Sequence, residues 1–462
     1  MTGVRPAVGF VWLALLCLSA RGAQARVAWS APLPVAPDSA AFVRQGWHST
    51  EARDTVLWTL WSEDRGAGQC PIRASRFSGG SWLEPELVAG DTAWGEHVET
   101  AVDADLNPWA VWSNTRYITR DSSYSFQLWS RRQGGAWTSP ERVTDDTTGL
   151  GGSPSLSADP VQGAWAIWTM VREDSVSFLS SRFLADSWAP QVLVARFYWW
   201  WLPYVSVITA PPGGQVRSVW TGALSGGLGI YSSTWTGEAW GDPELIPGSW
   251  AGYYHSACSD SAGGTWVTWL AGTSMFCARH DGVAWSDTWC LATGFVHCFR
   301  GMLCCDDRGR VWAIWTDSTG ISARYFDGAG WSDRSVVASG PGIYGDPRIA
   351  AALGRVWVTW ARHESDNRFL LYYSHTLPAG IAGDDAPPVG RVGNLPTLIR
   401  GLLVLPPAPG GGPETAGVLL DVTGRRVMAL GPGENDVRHL APGVYFFRRQ
   451  DTGESCRLVL VE

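Results

Sequence analysis

Charge is scarce in this sequence: Asp, Glu, Lys and Arg make up 17% of its 462 residues, against about a quarter in an average soluble domain. Methionine is scarcer still, at 5 residues. There is no long apolar run. The longest, Val8 to Ala20, has 13 residues, short of the roughly 20 that a helix needs to cross a bilayer, so no transmembrane segment is expected. A surplus of positive charge is missing too, with 35 basic residues against 43 acidic ones, which argues against binding nucleic acid through its phosphates. No CxxC pair and no zinc-like histidine spacing occurs, so neither a metal nor any other cofactor is expected. What the chain has instead is 30 Trp, 54 Gly and 28 Pro. Few helix formers and many turn residues point to β structure.

The N-terminus has the form of an export signal. Arg5 precedes the apolar run, and Ala23-Gln24-Ala25 gives the small-x-small pattern that signal peptidase accepts. Cleavage after Ala25 is expected. It would leave a mature chain with 33 basic and 43 acidic residues. Leu16 stands before Cys17, where a lipoprotein signal needs a small residue, so a lipid anchor is not expected. Export permits disulfides, and Cys258, Cys277, Cys290, Cys298, Cys304 and Cys305 fall in one short stretch. A Cys290–Cys298 staple and unpaired, partly buried thiols are both open.

A short motif, Trp-x-x-Trp, recurs along the chain at Trp58/Trp61, Trp109/Trp112, Trp165/Trp168, Trp266/Trp269, Trp312/Trp315 and Trp357/Trp360; Arg217-Ser218-Val219-Trp220 is a seventh copy that has lost its first Trp. The second tryptophans are spaced by 51, 56, 52, 49, 46 and 45 residues, a period suited to a propeller blade. Turns such as Asp306-Asp307-Arg308-Gly309 precede the copies, so the motif reads as a strand. In a strand, Trp109 and Val111 cover one face while Ala110 and Trp112 cover the other, as a sheet sandwiched between two others requires. A second motif, exemplified by Ala136-Trp137-Thr138-Ser139-Pro140, follows six of the seven copies. The missing copy stands at the mature N-terminus as Ala28-Trp29-Ser30-Ala31-Pro32. This offset predicts an all-β, seven-bladed β-propeller over residues 26–379, closed by an N-terminal strand that leaves no open sheet edge.

The segments Ile72 to Trp82, Asp281 to Ser286 and Asp327 to Ser332 resemble the BNR repeats of sialidase-like propellers, and the last two also resemble repeats of fucose-binding propeller lectins. The resemblance implies the fold and leaves activity open, because propellers host many functions. After a Pro/Gly-rich linker at 380–395, residues 396–462 carry four expected strands near Leu398 to Leu405, Gly417 to Asp421, Gly443 to Arg449 and Cys456 to Val461. Leu420-Asp421-Val422-Thr423-Gly424-Arg425-Arg426-Val427, then Leu440 to Arg448 and the closing Leu458 to Val461, resemble the type A sorting domain of the type IX secretion system. That resemblance implies a small immunoglobulin-like β-sandwich, outer-membrane secretion machinery as its partner, and passage through the periplasm to the surface or exterior of a Gram-negative-type bacterium.

Function in a propeller usually lies on the face that carries the interblade loops. Here those loops are aromatic: Trp47, Trp94 with His97, Tyr198-Trp199-Trp200 with Tyr204, Trp250, and Tyr254-His255. Such rings stack on the C–H faces of sugars, while Arg300, Arg348, Glu96 and Glu99 offer hydrogen bonds to hydroxyls. A non-catalytic glycan-binding face is the leading expectation, and the competing reading of any one ring is packing between blades. A protein-interaction scaffold ranks second. A degenerate sialidase-like hydrolase ranks third, because Pro71-Ile72-Arg73 reverses the Arg-Ile-Pro order of those enzymes and no complete catalytic set occurs. A hydrolase would show carboxylates or arginines converging in a central well. Asp103-Ala104-Asp105-Leu106-Asn107 reads as a turn rather than a calcium loop.

Overall fold

The computed structural model describes residues 27–36, 43–63, 70–90, 95–119, 122–144, 150–159, 163–172, 175–184, 186–198, 206–211, 214–224, 227–250, 252–294, 302–340, 343–363, 369–377, 398–399, 402–405, 417–421, 425–431, 433–437, 439–449 and 455–460. Every regular element among them is a strand. The chain divides into two compact units, Met1–Ile381 and Ala382–Glu462.

In the first unit each Trp-x-x-Trp motif lies on the second strand of an antiparallel sheet of four or five strands. The inner strands of these sheets are Val43–Arg53, Gly95–Val102, Leu150–Asp159, Ser206–Thr209, Tyr253–Ser259, Met302–Cys305 and Ile343–Ala352. Each lies against the inner strand of the next sheet, and Ile343–Ala352 lies against Val43–Arg53. Sheets arranged radially about a central cavity in this way make a β-propeller. Leu33–Pro34, far away in sequence, pairs antiparallel with Phe369–His375 at the outer side of the last sheet, and Trp29 bridges Thr376. Trp29 thereby occupies the position that Trp82, Trp137 and Trp188 take opposite Phe77, Arg132 and Phe183 in their own sheets.

The tryptophans go to opposite faces, as strand geometry requires. Trp109 and Val111 join one buried cluster with Ala166 and Trp168 of the following sheet, whereas Ala110 and Trp112 join another with Trp58 and Leu60 of the preceding sheet. Each fully buried indole removes roughly 200 Å² from water, worth about 5 kcal/mol. Asp306 shows how the turns are fixed. Its Oδ1 accepts the backbone N–H groups of Arg308 and Arg310, and its Oδ2 accepts the Trp312 indole N–H at 2.8 Å. Asp103 with Trp109 and Asp260 with Trp266 repeat this arrangement, so the Asp103 segment is a turn whose carboxylate tethers a core ring.

One sheet departs from the pattern. Where the other sheets place a first Trp against aromatic rings of the next sheet, as in Trp109–Phe183 and Trp266–Phe326, the fourth places Arg217, whose guanidinium meets the ring of His280 at 3.2 Å and Ser232 Oγ at 3.1 Å. Burial, then the charge of Arg217, holds the His280 imidazole below its ordinary value.

In the second unit Leu398–Ile399, Ser455–Leu460, Gly443–Arg449, Gly417–Leu420 and Arg426–Leu430 form one sheet in that order, and Leu402–Leu405 pairs with Gly433–Asp436. The single strand expected over 398–405 is therefore two, which join different sheets. Arg426–Leu430 and Gly433–Asp436 are unforeseen in the sequence, and Leu430 and Val437 of this region are buried in the core of the unit.

Candidate functional site

The inner strands enclose a cavity of about 630 Å³. Its wall is built in layers, because equivalent residues of successive sheets face the same second-strand partner. One layer consists of Ser49, Glu99, Ser155, Val207, Ser256, Met302 and Arg348, each opposite the residue just before the second Trp of its motif. Two residues along each strand, about 7 Å away, lies a second layer of Glu51, Ala101, Ser157, Thr209, Cys258, Cys304 and Ala350.

In the first layer Arg348 reaches over the Val43–Arg53 strand. Its Nε donates to the His48 carbonyl at 2.9 Å and its Nη2 to Glu99 Oε1 at 3.0 Å, while Ser49 Oγ donates to Glu99 Oε2 at 3.0 Å. Both carboxylate oxygens of Glu99 are thus engaged. Glu51 sits on the same side of its strand as Ser49, one layer beyond this bridge. It is open to the cavity yet walled by protein, and it makes no hydrogen bond or ion pair with any described residue. Burial, reinforced by the charge of Glu99 and partly offset by that of Arg348, raises its carboxyl from 4.5 to about 8. A carboxyl raised in this way keeps its proton further toward neutral pH, where it can donate. Burial also pushes the Cys258 and Cys304 thiols of this layer well above their usual range.

Trp47 and His97 stand at the edge of the same cavity, with ring centroids 4.8 Å apart. His97 has φ +50° and lies within a bulge between Glu96 and Glu99. Bulges re-aim side chains, and a non-glycine residue in the left-handed region marks strain of the kind that gathers at functional sites.

Of the ring and cation candidates in the sequence, the cavity brings together Trp47, His97 and Arg348. His255 is corrected to a structural residue: it is 1% exposed, with Nδ1 3.1 Å from Thr221 Oγ1 and Nε2 3.1 Å from the Val219 carbonyl. Tyr254 is half-buried and packs against the core beside Tyr253. Tyr198 and Trp250 are exposed, at 74% and 71%, and neither lines the cavity. Trp94, Trp199, Trp200, Tyr204 and Arg300 lie outside the described residues. So does Cys298, and Cys70, Cys258, Cys277, Cys290, Cys304 and Cys305 are free thiols. Among the described residues no three metal-ligating side chains gather, and no helix is long and apolar enough to cross a membrane.

Sequence reasoning missed Glu51. Its signal was positional: in the aligned inner strands it is the one acidic residue in a layer otherwise made of small or thiol side chains.

No family model and no curated protein matches this chain. Among solved structures it is similar to a protein of unknown function from Dyadobacter fermentans, at 13% identity and a TM-score of 0.47, covering 76% of this chain and 98% of that one. It is also similar to the polysaccharide lyase Uly1, at 10% identity and a TM-score of 0.45, covering 77% and 93%. For a mutant of the NanB sialidase from Streptococcus pneumoniae the figures are 12%, 0.39, 73% and 68%.

Proposed function

We propose that this chain is an exported, seven-bladed β-propeller protein whose central cavity binds the end of a glycan. The observation that carries the reading is one cavity, of a size suited to a small ligand, in which the Trp47–His97 ring pair stands with the Ser49–Glu99–Arg348 network. Rings offer a stacking surface for sugar C–H groups, and fixed polar groups offer hydrogen bonds whose geometry does not have to be organised on binding. The test is a glycan-array screen of the full chain beside its Trp47→Ala and Arg348→Ala variants. Binding that weakens at least tenfold in both is expected. A folded protein that retains no glycan on the array overturns the reading.

Hydrolysis is the second reading, favoured by the convergence of Glu51, Glu99 and Arg348 in a central well, with one carboxyl held protonated. It ranks behind binding because Arg348 and Ser49 already occupy both oxygens of Glu99, leaving it poorly placed to activate water. Release of reducing sugar from a bound oligosaccharide, abolished in Glu51→Gln, would reverse the ranking.

The remaining parts of the proposal concern closure and export. The pairing of Leu33–Pro34 with Phe369–His375 supports ring closure by the N-terminal strand, and residues 1–25 are read as a cleaved signal. We read residues 396–462 as an immunoglobulin-like sorting domain recognised by outer-membrane secretion machinery, delivering the protein to the cell surface or the exterior. Deleting those residues should trap the protein in the periplasm of its host; unchanged release would refute this assignment.

A further inference from the structure

Glu51 stands out in the cavity wall: no described residue hydrogen-bonds to it, and its position carries small or thiol side chains in the other inner strands. Around it stand Glu99 on the next inner strand, Arg348 on the preceding one, and the Cys258, Cys304 and Cys305 thiols on two more, with His48 on its own strand and His97 at the edge. Arg348 is the one Arg or Lys side chain among the described cavity-lining residues, and its Nε and Nη2 are committed to the His48 carbonyl and Glu99. Among the described lining residues the cavity therefore offers hydroxyls, a carboxyl and backbone groups, and its one arginine already faces the Glu99 carboxylate.

We propose that Glu51 is a specificity-determining residue that makes the cavity select uncharged, hydroxyl-bearing glycan ends and reject carboxylated ones. The proposal rests on the glycan-binding reading above. Protonated, Glu51 donates to a ligand oxygen. Ionised, it adds a second negative charge beside Glu99, and a ligand carboxylate entering the same chamber is repelled by both. A charge about 7 Å away at an intermediate effective dielectric weakens anion binding by about tenfold or more. Rejection of anions should thus sharpen as pH rises through about 8, while binding of uncharged ligands changes much less.

The experiment measures affinities of the full chain for neutral oligosaccharides and for the same backbones ending in uronate or sialate, at pH 6.5 and pH 9, for wild type and Glu51→Gln. The expected result is a neutral-ligand preference whose ratio grows about tenfold between the two pH values in wild type and stays flat in the variant. Preference for the carboxylated series, a pH-independent ratio in wild type, or an unchanged pH response in Glu51→Gln overturns the assignment while leaving glycan binding intact. Failure of the folded protein to bind either series overturns the glycan reading itself. The wild-type pH series stands even if the variant does not fold.

Discussion

Glu51→Gln should stabilise the ligand-free protein above neutrality, by an amount that depends on pH in a defined direction. In the unfolded chain the carboxyl ionises near 4.5, whereas in the fold it holds its proton to about 8. Between those values the folded state binds more protons than the unfolded state, so the stability associated with this group is fully present below pH 4.5 and is lost as pH rises to about 8, beyond which the loss is constant. For a group sealed from water the difference corresponds to roughly 5 kcal/mol. Glu51 is open to the water of the cavity, and screening there reduces the penalty to about 1–2 kcal/mol. Glutamine has nearly the same shape and no charge. Denaturant unfolding followed by tryptophan fluorescence should therefore give equal stabilities for the two proteins at pH 4.5 and a variant more stable by about 1–2 kcal/mol at pH 8.5. A difference that is the same at both pH values, or that favours wild type at pH 8.5, would refute the reasoning.

Trp168→Ala, which empties a site 0% exposed, should destabilise by about 3–5 kcal/mol, and Trp250→Ala, at 71% exposure, by less than about 0.5 kcal/mol; denaturation midpoints compare the two. Asp306→Ala removes the acceptor for Trp312, Arg310 and two backbone N–H groups and should lower stability by about 2–4 kcal/mol, with Asp306→Asn recovering part of it. The His280 imidazole is held below its ordinary value of 6.5 by burial and then by Arg217, so it favours the fold above pH 6.5 and that contribution is lost as pH falls; His280→Gln should flatten the decline in unfolding free energy between pH 6.5 and 5. Equal slopes in the two proteins would count against a buried neutral imidazole there.

The repeat was legible because each tryptophan reports its own burial. A side chain that large, recurring at an offset of three after a turn, has to cover both faces of a strand, and Trp109 and Trp112 do so. The Asp–Trp tethers were legible only as turns: Asp306 and Trp312 are six residues apart, and the indole hydrogen bond between them depends on the hairpin closing first. The site was less legible still. Trp47, His97 and Arg348 were named as aromatic or polar candidates, but so were His255, which the fold buries, and Tyr198 and Trp250, which it leaves away from the cavity.

The sequence by itself determined the β class, the period and the placement of the aromatic core, since these follow from local patterns of side-chain size and turn residues spaced along one chain. Only the tertiary structure decided that Arg348, Ser49, Glu51 and Glu99 share a chamber. Arg348 and Glu99 are 249 positions apart, and the link between them exists because the inner strands form a ring that sets the last sheet beside the first. The bulge that holds His97, whose ring meets that of Trp47, is likewise a property of strand pairing. The elevated carboxyl of Glu51 arises from walls contributed by several sheets, because desolvation depends on what surrounds a group in space, and a linear sequence does not carry that information.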